Sequence, residues 1–193
     1  EDYTLDRLKK IIKQVIDKYD FDWAFYKEEI LSNAVNNFEK FYDLYVKDRK
    51  FVGFVEKNFS FKLKNNLING RIDHINFIDE KTVELIDYKS GSKSISQKDL
   101  HEDIQLPLYK LAINLSKDLD MLKGKNVILK YIFLGDKNCS QLIFKDEDLD
   151  FKNFIKIIIE IIKEIKKENF LETSKNSFEC RNCSFRINCS KFL

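Results

Sequence analysis

The run "GRIDHINFIDEKTVELIDYKSG", residues 70–91, constrains the fold more tightly than any other stretch. "LINGRIDHINFI" and "TVELIDYKS" read as strands, joined by "DEK". Successive side chains on a strand point to opposite faces. Leu85, Asp87 and Lys89 therefore share one face, and Glu84, Ile86 and Tyr88 the other. Asp87 and Lys89 stand side by side at a strand end, and Asp73 on the preceding strand reaches the same end. Charge in a core is costly unless it is paired or holds a metal. Two carboxylates and a backbone carbonyl form a hard oxygen set suited to Mg2+ or Mn2+. A neighbouring lysine can orient water and stabilise charge on a phosphoryl group. The same spacing also fits an Asp87–Lys89 ion pair on a half-exposed strand, with Asp73 a turn or cap residue.

The surrounding periods supply the rest of the domain. "YTLDRLKKIIKQVIDKY" and "DWAFYKEEILSNAVNNFEKFYDLYVKD" have helical spacing, with Thr4 as the first N-cap. "FVEKNFSFKL" alternates, with Phe59, Phe61 and Leu63 on one face, and Asn65–Asn66 marks a turn. Three strands with short connections make an antiparallel meander. "KDLHEDIQLPLYKLAINLSKDL" is a helix that Pro107 kinks or delays. "NVILKYIFL" and "CSQLIFK" form a strand pair around "GDKN", and "DEDLDFKNFIKIIIEIIKEIKKENF" is an amphipathic helix whose Ile face is expected on the sheet. The order α-α-β-β-β-α-β-β-α predicts one α/β domain with a central mixed sheet flanked by helices. It covers residues 1–193: a helical part at 1–48, a core at 50–170 and a cysteine-rich tail at 171–193. Trp23 and the abundant Phe are read as core.

Charge narrows the partners. A formal net charge of +2, from 34 basic and 32 acidic residues, excludes a strongly basic nucleic-acid coat. Contact with DNA would use a local patch such as Lys62, Lys64, Arg71, Lys93 and Lys98, which equally fits a solvated lysine-rich face. No apolar run reaches the roughly 18 residues of a membrane span. Cys180, Cys183 and Cys189 crowd the end of the chain while Cys139 stands apart, which fits an intracellular metal or cluster site better than a secreted disulfide framework. No Gly-rich phosphate loop is present, so a helicase motor would lie outside the chain.

"GRIDHI", "ELIDYKSG" and "QLPLY" occur in that order, and the stretch from Glu56 to Tyr109 resembles the RecB-type nucleases of the PD-(D/E)XK superfamily. Those read G-x-x-D-R-I, V-x-D-Y-K-T-G and Q-x-x-x-Y. The resemblance implies Mg2+-dependent hydrolysis of DNA by an exonuclease acting on ends or single strands with a helicase, in DNA repair or recombination. It implies that Asp73, Asp87 and the Tyr88 carbonyl hold Mg2+ or Mn2+, and that Lys89 positions the attacking water. Gln105 and Tyr109 would hold the site and the DNA strand. Glu56 stands where the family commonly has a Glu; the residues themselves read it as a supporting group or rim charge. His74 replaces the family's usual Arg, and equally fits an outward-facing strand histidine without a role. The family's earlier helical His has no counterpart, since His74 and His101 come too late and Asn36 is a poor match. That His is expected upstream of Glu1.

The tail "FECRNCSFRINCSKF" is C-x2-C-x5-C, a soft-ligand set for zinc or iron–sulphur. It resembles the iron–sulphur staple of AddB-type nucleases and CRISPR-associated adaptation exonucleases. That implies Cys180, Cys183 and Cys189 as ligands of a [4Fe-4S] cluster whose fourth Cys is expected upstream. Cys139 is read as a lone structural cysteine, a fourth ligand only if its hairpin packs on the tail. The alternative functions are a non-catalytic nuclease-like module that binds DNA or scaffolds a helicase complex, and a zinc module centred on the tail.

Overall fold

Two helical segments precede the sheet because the hydrophobic period stays near four until Val46 and becomes two from Gly53 onward. In the computed structural model, residues 4–21, 23–47, 51–91, 96–97, 100, 103–145, 150–168 and 183 are described. The chain forms two compact units, Glu1–Leu149 and Asp150–Leu193.

In the first unit, α1 (Leu5–Ile16) starts at Thr4, whose side chain accepts from Arg7 N at 3.4 Å, and it buries Ile12 and Ile16. Helix α2 (Ala24–Phe41) widens into a π turn at Tyr42–Val46. Trp23 is not core. It sits at the N-cap position of α2, on the link from α1, and is 73% exposed.

The sheet has five strands in the order β1 (Gly53–Leu63), β2 (Asn66–Phe77), β3 (Thr82–Lys89), β4 (Asn126–Phe133) and β5 (Gln141–Phe144). The first three form the expected antiparallel meander, β3 and β4 run parallel, and β5 returns antiparallel. The first hairpin turns at Lys64–Asn65, one residue before the Asn pair, with Lys64 at φ +54°. A parallel pair needs a crossover. Here it carries α3 (Gln105–Leu115) and a 3-10 turn (Lys117–Leu122). Helix α3 does begin late, with Pro107 in its first turn, where a missing N–H is harmless. It also ends before the predicted limit. Ser116 is extended, and its hydroxyl accepts from Asp118 N at 3.1 Å to cap the 3-10 turn.

Parallel register makes Leu85 and Leu129, Asp87 and Tyr131, and Lys89 and Phe133 neighbours on one face. The other face carries Ile86 and Ile132, which pack with Cys139 against Phe41 and Tyr45. Helix α2 and its π turn therefore cover that second face. Ile72, Ile75, Val83, Leu85, Leu129 and Ile132 are almost wholly buried at the centre.

The second unit contains α4 (Phe151–Lys166), capped by Asp150, which accepts from Lys152 N at 3.0 Å and Asn153 N at 3.1 Å. Lys163 and Lys166 lie in its last turn, as the helix dipole favours. Phe154 and Ile158 are buried. No helix among the described residues is long and apolar enough to cross a membrane.

Candidate active site

The meander's ladders lapse on both sides of Asp73. Pairing of β1 with β2 includes Val55–His74 and Lys57–Ile72 but skips Glu56 opposite Asp73. Glu56 has φ +53°, a left-handed conformation that a non-glycine residue adopts only at a cost. Pairing of β2 with β3 ends at His74–Ile86, so Asp73 and Asp87 are the next positions in register. There the Asp73 carboxylate substitutes for a strand partner: its Oδ2 accepts from Tyr88 N at 2.9 Å. Beyond the lapse, Phe59, Phe61 and Leu63 are buried, and Phe59 meets Tyr109 of α3 edge-on at 6.0 Å between ring centroids. Gly70 makes that approach feasible, since a Cβ there would lie 2.2 Å from the Phe59 ring.

Asp87, Lys89 and Gln105 close a ring of polar contacts. Lys89 Nζ is 2.7 Å from Asp87 Oδ2 and donates to Gln105 Oε1 at 2.6 Å. The Gln105 amide then donates from Nε2 to Asp87 Oδ1. The Tyr109 hydroxyl, one turn along α3, lies 3.1 Å from both Asp87 Oδ1 and the Arg71 carbonyl and shares its one proton between them. The Asp87 side chain is 4% exposed and that of Lys89 35%. Burial raises the Asp87 pKa; Lys89 and Tyr109 pull it down, and Asp73 adds to the rise. Asp87 Oδ2 is buried, and its close cationic partner is the Lys89 ammonium.

Two residues outside the sequence motifs complete the network. Asp103, just before α3, accepts from Leu106 N at 2.9 Å and Gln105 N at 3.4 Å, and so caps the helix that carries Gln105 and Tyr109. The Tyr131 hydroxyl reaches both Asp103 oxygens at 3.0 Å, while the Tyr131 ring lies 4.6 Å from Lys89 Nζ. The sequence reading missed Asp103; its signal was an Asp two positions before Gln105, the spacing of a helix cap. Tyr131 was hidden, because parallel register depends on the crossover and not on local pattern.

The opposite face holds a second buried polar group. Lys130 Nζ pairs with Glu84 Oε1, and Glu84 Oε2 accepts from Asn76 Nδ2 at 3.3 Å. His74 is also on that face. It is not outward-facing: it is 9% exposed, its Nδ1 is 2.9 Å from Tyr88 OH, and burial lowers its pKa.

The remaining predicted residues are more scattered. Glu56 and Arg71 form an exposed ion pair at 2.5 Å. Asn36 is exposed on α2, and Lys62 and Lys64 are exposed at the hairpin tip. Cys139 is buried and Cys183 exposed, both as free thiols. His101, Lys93, Lys98, Cys180 and Cys189 lie outside the described residues. Among the described residues, no three His, Cys, Asp or Glu side chains gather to hold a metal ion. Asp73 and Asp87 nevertheless fit a divalent cation. They are hard oxygen donors in adjacent register, and the buried Asp87 Oδ2 is paired with the half-exposed Lys89 ammonium, a cation that a metal would replace.

A family model described as the PD-(D/E)XK nuclease superfamily matches residues 2–190. The solved structure titled "Crystal structure of SSO0001" is similar at 17% identity, with 96% of this chain and 95% of that chain covered and a TM-score of 0.48. No curated protein matches the chain.

Proposed function

Because this chain belongs to the PD-(D/E)XK nuclease superfamily, we propose that it hydrolyses DNA phosphodiester bonds at a divalent-cation site formed by Asp73, Asp87 and the Tyr88 carbonyl. The observation that carries this reading is the ring of contacts joining Asp87, Lys89 and Gln105, with Asp73 next in register. Bound Mg2+ or Mn2+ would polarise the phosphate and offset its developing charge. Asp73, tied to Tyr88 N, and Asp87, held by Tyr109 and Gln105, are fixed before substrate arrives. Lys89 is the half-exposed cation of the set. It can donate to the attacking water and to a phosphate oxygen while Gln105 Oε1 restrains its swing. Arg71, exposed at the rim and held by Glu56 in an ion pair, offers a guanidinium to a strand phosphate.

A Mn2+-supplemented nuclease assay tests this. Lys89→Ala is expected to lose about a hundredfold or more in rate, the scale for one charge-stabilising group. Equal cleavage by wild type and Lys89→Ala preparations would assign the activity to a contaminant.

The finer features rest on the motif resemblance: exonuclease action on ends or single strands, a helicase partner, a role in repair or recombination, and action inside the cell. The match over residues 2–190 supports treating 1–193 as one nuclease-like domain. Its C-x2-C-x5-C tail supports a [4Fe-4S] site at Cys180, Cys183 and Cys189. A second reading, a module that holds DNA without cutting it, is favoured by the absence of a third gathered acidic or imidazole ligand among the described residues. DNA binding without Mn2+-dependent cleavage would select it.

A further inference from the structure

We propose that Tyr131 is the seat for the Lys89 ammonium when Asp87 turns to a divalent cation, and that Asp103 fastens this seat to the helix carrying Gln105. This rests on the two-carboxylate reading given above. As the structure stands, the ammonium has three partners: Asp87 Oδ2 at 2.7 Å, Gln105 Oε1 at 2.6 Å and the Tyr131 ring face at 4.6 Å. With a divalent cation on the carboxylates, Asp87 would be shared with the metal and Lys89 would feel its repulsion. Lys89 must then keep its charge beside the site with one counter-charge fewer. The two remaining partners suit that state because neither carries a charge that would draw the metal away.

The ring is well placed for the task. Tyr131 is 1% exposed and stands across from Asp87 in the parallel ladder, so its position is set by the sheet. Its hydroxyl bonds to a carboxylate, which makes the ring more electron-rich and its face a better cation partner. Burial and the Asp103 charge hold the phenol far above its ordinary pKa, so it stays neutral and is no proton donor. The same Asp103 caps α3, so the seat and Gln105 Oε1 are fixed by one residue. Tyr131 is thus a positioning residue that acts through Lys89. In the metal-free state the Asp87 charge already anchors the ammonium. Removal of the ring should therefore weaken the metal-bound state more.

Calorimetric titration of Mn2+ into the 193-residue chain tests the idea, with wild type, Tyr131→Phe, Tyr131→Leu, Lys89→Met and the Lys89→Met/Tyr131→Leu pair. Melting curves identify any variant that fails to fold. Tyr131→Phe keeps the ring but loses its tie to Asp103, and should bind Mn2+ about twofold more weakly than wild type. Tyr131→Leu should bind it about three- to fivefold more weakly, the scale of one cation–π contact. That loss should vanish in the Lys89→Met background. Cleavage by Tyr131→Leu should show lower kcat with KM for DNA unchanged. Equal weakening by Phe and Leu, or a full Leu effect without Lys89, would overturn the seat and leave Tyr131 a structural residue. Wild type that binds no Mn2+ would overturn the carboxylate site itself, and the inference with it.

Discussion

Burial of the Asp87 carboxyl bears on stability as well as on the proposed site. The Asp87 pKa is raised mainly by that burial, against the opposing pull of Lys89. A carboxyl with a folded pKa above its ordinary 3.8 favours the folded chain below that value, and the advantage is lost as pH rises through the folded pKa. At pH 7 the ionised Asp87 therefore opposes folding. Asp87→Asn in EDTA at pH 7 is expected to melt about 3 °C above wild type. The gap should close as the pH is lowered toward 4. Mn2+ at a hundredfold excess over Kd should then stabilise wild type by about 2.7 kcal/mol and the variant hardly at all. A variant that melts lower in EDTA would show that Asp87 supports the fold. The motif residues of this site were legible because a charged strand in an Ile-rich sequence is costly and therefore noticeable. His74 was misread because an alternating pattern assumes one wet face, whereas both faces of β2 are covered at that point.

At the level of elements, β2, β3 and β4 are tied together on the face away from the site by Asn76, Glu84 and Lys130. The Lys130 side chain is 4% exposed and that of Glu84 11%. Removal of one partner leaves a buried unpaired charge. Glu84→Gln is expected to lose about 3–5 kcal/mol in urea unfolding. The double change Glu84→Gln/Lys130→Met should recover most of that loss. A single change that costs under about 1 kcal/mol would mean that water reaches the pair. Element order and type were legible throughout, since each segment has a clear period. The break at Ser116 and the π turn at Tyr42–Val46 were not, because neither alters that period. Trp23 escaped for a related reason: bulk and hydrophobicity suggest the core, but its place on a short inter-helix link decides otherwise.

Across the whole molecule, the sheet joins a local half to a non-local one. Strands β1, β2 and β3 follow one another through short turns, while β3 meets β4 only after the crossover with α3. Mixed topology was readable from the order of elements; which side chains it would bring together across β3 and β4 was not. Loop closure penalises distant pairings, so near-neighbour hairpins form first. Hydrogen-exchange pulse labelling during refolding should therefore find amides of β2 and β3 protected before those of β4. Simultaneous protection of all three strands would refute that order. The crossover then acquires a further meaning. Asp73 and Asp87 can be neighbours in a half-made sheet, but Gln105, Tyr109 and Tyr131 arrive only when the parallel pair closes. On this sequence of events, a nascent chain lacks part of the proposed site, and completion of that site is coupled to completion of the fold.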